Sequence, residues 1–446
     1  MSFGHSPSLS LPGNMAAKNG RTANRHPQIA IAHTSTPVVV LCSPHHGGLG
    51  VTRSLGRLGV PVFNVDSSRW APAFYSRYCR GKFVWDLDET GPEESLGRLI
   101  EIARKTGRRC VLIPTTDHAA LFVADYAAQL QKWYITPDAS RVPVNSLCSK
   151  REMDSLAKEF GIPTARTFFA QTRKGLLEHL KNVGLPVMIK AVHVNARSRT
   201  GKTKWLVRTR PDVSALDEFL DRVSPNDWTN IIVQEYIPGG QDAVWIFNGY
   251  FNHDSECLLG FTGKKLRQCP IYTGVASLGV CHHNPIVENT AFRFVKAAGY
   301  RGIIDMDFCY DARDGLYKLV DVNPRIGSTF RLFVASDGMD VARALYLDLT
   351  GQPVPRSRAS NGRKWIVEDL DLMASWRSSR HRKLTFRDWV RSLRGIREAA
   401  FFSWDDLLPV LAMLRADFKE LFIRMRPRWD RPAFPFLGKN RAHLPL

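Results

Sequence analysis

The run Leu319-Val-Asp-Val-Asn-Pro-Arg-Ile-Gly327, preceded by Gly302-Ile-Ile-Asp-Met-Asp-Phe308, decides how this chain reads. Asp321 and Asn323 stand two residues apart at the end of a β-like run. Asp307 stands fourteen residues before Asp321 on another. On adjacent antiparallel strands, side chains two apart share a face, so Asp307, Asp321 and Asn323 are expected to converge. Three hard oxygen donors with open positions suit Mg²⁺ (or Mn²⁺) carrying nucleotide phosphates, because Mg²⁺ keeps several waters and takes only one or two carboxylates from the protein. The stretch points to an ATP-dependent enzyme.

Working outward, Gly302–Tyr310 and Tyr317–Val322 read as a hairpin around Asp311-Ala-Arg-Asp-Gly315. Upstream lie helices over 150–160 and 174–183 and strands over 186–190, 205–208 and 231–237. Alternating strands follow over 243–261, then helices over 288–298 and 338–349. Gly161-Ile-Pro163 closes the first of these helices, with glycine past its end and proline as a stop. Antiparallel strands with helices to one side make residues 141–350 an α+β unit.

Within it, four features come in order. Lys150 opens a helix. Lys190 ends a buried strand ahead of a basic, glycine-bearing loop, Arg197–Lys204. Gln234-Glu-Tyr-Ile-Pro-Gly239 ends a strand in a reversal, with Asp242 just beyond. The acids, Asn323 and Arg325 complete the series. Ammonium groups suit phosphate oxygens as compact mobile charges. The loop with Gly201 can close over a terminal phosphate. A strand reversing into Pro-Gly leaves main-chain groups for an adenine edge, and Asp242 can accept from ribose hydroxyls. Phosphoryl transfer is mainly positioning and charge neutralisation, so this inventory suffices in kind.

Residues 36–140 read differently. The run Thr36-Pro-Val-Val-Val-Leu41, the turn at Gly47-Gly-Leu-Gly50, a helix ended by Gly59 and the strand Val60–Val65 form a βαβ unit. A further strand at Val111–Thr115 extends it into a small open α/β domain. The glycine turn lacks the full dinucleotide-binding pattern and reads as a tight turn that shapes a cleft. Asp117-His118, after Thr115-Thr116, is a candidate pocket lining. Residues 1–35, rich in Ser, Pro, Asn and Gly, read as a disordered leader.

The 446 residues suffice for two or three domains, and 44% apolar with 23% charged residues is ordinary globular composition. Eight scattered cysteines without Cys-x-x-Cys read as reduced thiols, not a zinc site or disulfide frame. No apolar run approaches about 20 residues and no signal-peptide pattern is evident, so a cytoplasmic location is expected. Net charge is +20. Residues 354–446 hold 20 Lys+Arg against 10 Asp+Glu, half of that excess. Region 351–446 is therefore expected to be basic and mainly helical. Its segment from Phe401-Phe-Ser-Trp404 to Met425 fits an amphipathic surface anchor or a helix packed back on the preceding domain. No helix-turn-helix, zinc finger or RNA-binding aromatic pattern accompanies the charge, so nucleic acid is not an expected partner.

Taken together, residues 36–350 resemble the ATP-grasp superfamily. Within it the likeness is to the carboxylate–amine ligases related to D-aspartate ligase and the carbamoyl-phosphate synthase large subunit. The motifs are Gly47-Gly-Leu-Gly-Val-Thr52, Phe74-Tyr-Ser-Arg-Tyr78, Phe83-Val-Trp85 and Lys264-Lys-Leu-Arg-Gln-Cys-Pro270. The resemblance implies an α/β N-terminal domain followed by α+β ATP-grasp domains and a helical basic C-terminal region. It implies Lys150 and Lys190 on phosphates, and Gln234, Glu235, Tyr236 and Ile237 around adenine, with Ile237 using its main-chain N–H. It places Asp242 on ribose and Asp307, Asp321 and Asn323 on magnesium. Arg325 would stabilise the transferring group, with Lys265 or Arg267 facing the γ-phosphate or a substrate carboxylate. Asp321 stands where such enzymes usually carry Glu. The implied activity joins a small-molecule carboxylate to an amine. A bicarbonate-using enzyme, a non-amine acceptor, and a non-catalytic nucleotide-binding scaffold docked through its basic tail to a membrane or partner are the alternatives. Homo-oligomerisation stays open.

Overall fold

Val38–Leu41 (β1) is four consecutive buried aliphatic residues, as a strand covered on both faces requires. It sits centrally in a parallel sheet with Val62–Asp66 (β2), Cys79–Val84 (β3), Cys110–Pro114 (β4) and Tyr134–Ile135 (β5), in the order β3-β2-β1-β4-β5. The order reverses between β1 and β4, which opens a crevice at their carboxyl ends. This computed structural model describes residues 31–42, 46–191, 204–209, 216, 220–221, 223, 225–239, 243–271, 274–380 and 384–415. Nearly all of the expected leader, the loop from Arg197 to 203 and Asp242 lie outside them.

A second, four-stranded antiparallel sheet has the order β6-β9-β7-β8, from Thr167–Phe169 (β6), Val187–Ala191 (β7), Lys204–Val207 (β8) and Ile231–Glu235 (β9). It has its own core of Val187, Ile189, Trp205, Val207, Ile231 and Val233, under the helix Arg173–Asn182. At its root, the Leu319 N–H donates to the Pro163 carbonyl at 2.8 Å, tying the lobe to the third sheet. The helix Lys150–Glu159 ends as the sequence predicts, with Gly161 at φ +64°.

The third sheet has seven strands, in the order β14-β13-β10-β11-β12-β15-β16. They are Val244–Phe251 (β10), Cys257–Cys269 (β11), Val275–Cys281 (β12), Gly302–Asp311 (β13), Leu316–Asn323 (β14), Lys364–Ile366 (β15) and Ile396–Ala399 (β16). The helix Pro285–Ala298 packs Val287, Ala291, Phe294, Val295 and Ala298 against it. That helix starts where Asn284 accepts from the Ile286 and Val287 N–H groups and stops at left-handed Gly299.

Two findings differ from the sequence reading. First, the region after 351 is not only helical. β15 and β16 extend the central sheet, because Trp365 is apolar enough to be buried in it. Second, the N-terminal domain shares a core with the rest. Val38, Leu49, Leu55, Phe261, Phe330, Tyr346, Trp365, Phe401 and Met413 belong to one buried cluster.

Charge explains how the C-terminal region holds. Buried Arg53 donates through Nε to Asp406 at 2.9 Å and through its Nη groups to the carbonyls of Ala400, Phe401 and Asp406. Ser76 and the Arg77 N–H complete the Asp406 shell. Glu398 accepts from Arg331 at 2.7 Å and Arg363 at 2.5 Å, and Asp371 accepts from Arg267 at 2.8 and 3.1 Å. Part of the basic excess is thus buried and matched by acids from 371–406. Asp406→Ala leaves a buried guanidinium unpaired and is expected to lower the unfolding free energy by about 3–5 kcal/mol. Denaturant unfolding reads this directly, and a loss under about 1 kcal/mol would show that the lock is not structural.

Candidate active site

The hairpin register builds the centre. Asp307 on β13 pairs with Asp321 on β14, and Asp305 pairs with Asn323. The alternate residues Met306, Phe308 and Val322 are buried beneath, so the four polar side chains share the opposite face. The register shifts just past Asp307, where Val320 is the extra residue, a bulge of the kind found beside functional sites. Sequence reasoning named Asp307, Asp321 and Asn323. It passed over Asp305, whose spacing from Asp307 was the available signal. Asp305 is buried beside Asn248, its register partner on β10. Burial, then the Asp307 charge, pushes its carboxyl up to about 7. A Cβ on Gly327 would lie 1.7 Å from Asp305 Oδ2, so only glycine lets the chain pass there.

Lysines gather around these acids from four elements. Lys150, in the first turn of its helix, contacts Asp321. Lys265 on β11 donates to Asp307 at 2.5 Å. Lys190 ends β7 and donates to the Gln234 side-chain oxygen at 2.7 Å, while Gln234 donates to Thr167 at 3.3 Å. Lys204 on β8 faces Lys190 in register. Only strand pairing singles out Lys204, since in sequence it is one cation of a basic loop. Burial lowers the Lys190 ammonium to about 7, helped by Lys204 and Lys150. Burial lowers Lys150 to about 8 against the pull of Asp117, and Lys204 is lowered by burial and by Lys265. Lys150 and Lys265 are paired with Asp321 and Asp307, while Lys190 and Lys204 set like charges side by side in register, an arrangement that favours an anion.

Arg325 links this space to the crevice of the parallel sheet. Its Nε donates to Asp117 at 2.6 Å and its Nη2 to Asn323 Oδ1 at 3.2 Å. Asp117 begins the helix after β4, at the switch point, with Thr116 as its cap. The candidate lining Asp117 thus meets the Asn-Pro-Arg turn. His118 instead contacts Asp88.

The other expected residues divide. The Glu235 carboxylate is held by Arg166 at 3.1 Å and Lys318 at 3.3 Å, so it braces the lobe rather than facing the lysines. The Tyr236 N–H donates to the Pro186 carbonyl, and Ile237 is buried. Arg267, two residues past Lys265, is committed to Asp371 and Ser392 on the C-terminal side. Among the described residues, no group of three or more His, Cys, Asp or Glu side chains is arranged to hold a metal. Asp307, Asp321 and Asn323 place two carboxylates and an amide on one face of the hairpin.

Comparison with known proteins bears on the fold. No family model matches the chain. In sequence it is 24% identical over 289 residues to the D-aspartate ligase of Enterococcus faecium (strain Aus0004), covering 62% of this chain and 68% of that protein. It is 21% identical over 218 residues to the carbamoyl phosphate synthase large chain, C-terminal section, of Methanopyrus kandleri, covering 48% of this chain but only 39% of that relative. In structure it matches an ADP complex of N5-carboxyaminoimidazole ribonucleotide synthetase with a TM-score of 0.56 at 11% identity, over 75% of this chain and 82% of the other. The chain has the ATP-grasp fold. The resemblance to carboxylate–amine ligases drawn from the motifs is shared by these relatives.

A polyphosphate bound among these lysines would restore the charge that burial strips from Lys190. Binding then takes up a proton and weakens as pH rises above about 7. Affinity is expected to fall by up to about tenfold per pH unit there, and Lys190→Arg, whose charge does not titrate, should flatten the profile. Calorimetry in buffers of different ionisation enthalpy measures the proton uptake, and a pH-independent affinity would exclude Lys190 as the linked group.

Proposed function

We propose that this chain is an ATP-dependent ligase that activates a small-molecule carboxylate as an acyl phosphate and joins it to an amine. The observation that carries the reading is the Asp307–Asp321 pair beneath Lys150, Lys190, Lys204 and Lys265. The relatives support it, as does the ADP held by the structural neighbour.

The residues divide the work. Lys190 and Lys204 bind phosphate oxygens from the small lobe and Lys150 from its helix against the third sheet, as mobile point charges. Gln234 orients Lys190, and the main chain through Tyr236 and Ile237 lines the adenine end, with Asp242 assigned to ribose by family likeness. Asp307, Asp321 and Asn323 fit Mg²⁺ in kind, as oxygen donors on one face. When bound, that ion would neutralise charge on the phosphates. Asp321 is one methylene shorter than the usual Glu, and its charge is retained. Lys265, on β11, is assigned to the γ-phosphate or the substrate carboxylate. Arg267 takes a positioning part, clamping β11 through Asp371 so that Lys265 is held in place.

In this scheme a carboxylate oxygen of the substrate attacks the γ-phosphorus and ADP departs. The amine then attacks the acyl carbon, inorganic phosphate leaves, and the amine's proton is lost to solvent. Arg325 stabilises the negative charge that develops on the transferring group. Asp117 holds the Arg325 guanidinium through its Nε. No protein nucleophile is required, and rate comes from alignment and charge stabilisation.

A panel of carboxylates and amines, scored by ADP release and by product mass, identifies the pair. With that pair, Lys190→Ala and Asp321→Ala should each lower turnover by about 100-fold or more. Full turnover in either variant would overturn the assignment.

A further inference from the structure

The segment from Trp404 to Arg415 is apolar on both sides. A helix begins at 408 and is described as far as 415. Its inner side is buried through Pro409, Ala412 and Met413, and Met413 joins the shared core. Its outer side carries Leu407, Leu408, Leu411 and Leu414. Leu408 and Leu411 are each 58% exposed, and Trp404, just before the helix, is 84% exposed. A surface helix ordinarily turns polar residues outward. Single exposed leucines are common, but a contiguous apolar strip marks a surface that something other than water covers.

We propose that this strip docks on an anionic lipid bilayer. Charge and aromatic chemistry favour that occupant. Asp405, the acid of the outer side, is neutralised by Arg57 at 2.9 Å and accepts from Tyr78 at 2.8 Å. Arg415, at the end of the strip, lies 4.2 Å over the Trp70 ring. Trp70 stacks on Tyr75 at 6.0 Å, and Lys82 lies 5.1 Å over Tyr75. Trp and Tyr alternating with cations beside an apolar strip match a lipid headgroup boundary, where an amphipathic ring sits between wet and dry. The sequence after Arg415 continues the same chemistry. Phe418, Leu421, Phe422 and Met425 carry on the spacing of Leu407, Leu411 and Leu414, and residues 416–446 hold 7 Lys+Arg against 3 Asp+Glu. A second copy of a chain carrying net charge +20 would bring like charges together at this surface, whereas anionic headgroups meet both the leucines and the cations.

The surface is separate from the nucleotide site, so it is tested independently of the ligase reading. The intact chain is mixed with vesicles of phosphatidylcholine alone or of phosphatidylcholine with phosphatidylglycerol, and the bound fraction is measured by flotation. Binding is expected only to the anionic vesicles and should fade at high salt. The double variant Leu408→Asp, Leu411→Asp should bind at least about tenfold more weakly while melting at the wild-type temperature, since both side chains lie outside the core. Brominated lipid should quench tryptophan fluorescence in the parent and less in Trp404→Phe, which covers the case of a poorly folded double variant. Absent binding by the intact chain, or equal binding and quenching by the variants, overturns the proposal. A dimer abolished by the double variant, without vesicle binding, gives the surface to a second copy instead. Absent vesicle binding with protease protection of 416–446 that the double variant removes gives it to the chain's own C-terminus.

Discussion

The pairing of β13 with β14 is the constraint on which the rest depends. Their register sets Asp307 opposite Asp321 and Asp305 opposite Asn323. A slip of one residue would turn every one of these side chains into the apolar layer beneath. Met306, Phe308 and Val322 prevent it, because each is buried on the other face. The bulge at Val320 then re-aims the chain toward the Asn-Pro-Arg turn. Lys265 reaches the pair from β11 and Lys150 from its helix, so two further elements are positioned with respect to one hairpin.

The second organising force is the matching of buried charge. Arg53, Arg267, Arg331 and Arg363 are each buried and each held by an acid contributed from 371–406. Breaking such a pair costs far more than the pair itself contributes, so these contacts fix geometry more than they add stability. They tie the first helix, the central sheet and the C-terminal region into one frame. Arg325 and Asp117 extend the frame across the cleft, joining the parallel sheet's switch point to the proposed metal donors. The small lobe, with its separate core and lysine-bearing edge, meets this frame through Pro163 and Leu319 and through the Glu235–Lys318 ion pair.

The sequence by itself determined the β13–β14 hairpin, several helix ends and the shared face of Asp307, Asp321 and Asn323. Those features depend on local periodicity, on glycine at left-handed positions such as 161 and 299, and on side chains two apart sharing a face. It also carried the order of Lys150, Lys190, Gln234 and Asp307, from which a nucleotide site followed. Tertiary structure decided what depends on neighbours distant in the chain. Lys204 became notable only through its pairing with Lys190, and the partner of Asp117, Arg325, lies 208 residues away. Glu235 and Arg267 were drawn from the same motifs as their neighbours, yet Lys318 and Asp371 hold them elsewhere, because a buried charge goes to the partner that can neutralise it. The same rule sets acids of the basic C-terminal region onto buried arginines distant in the chain, and strand pairing adds β15 and β16 to the central sheet.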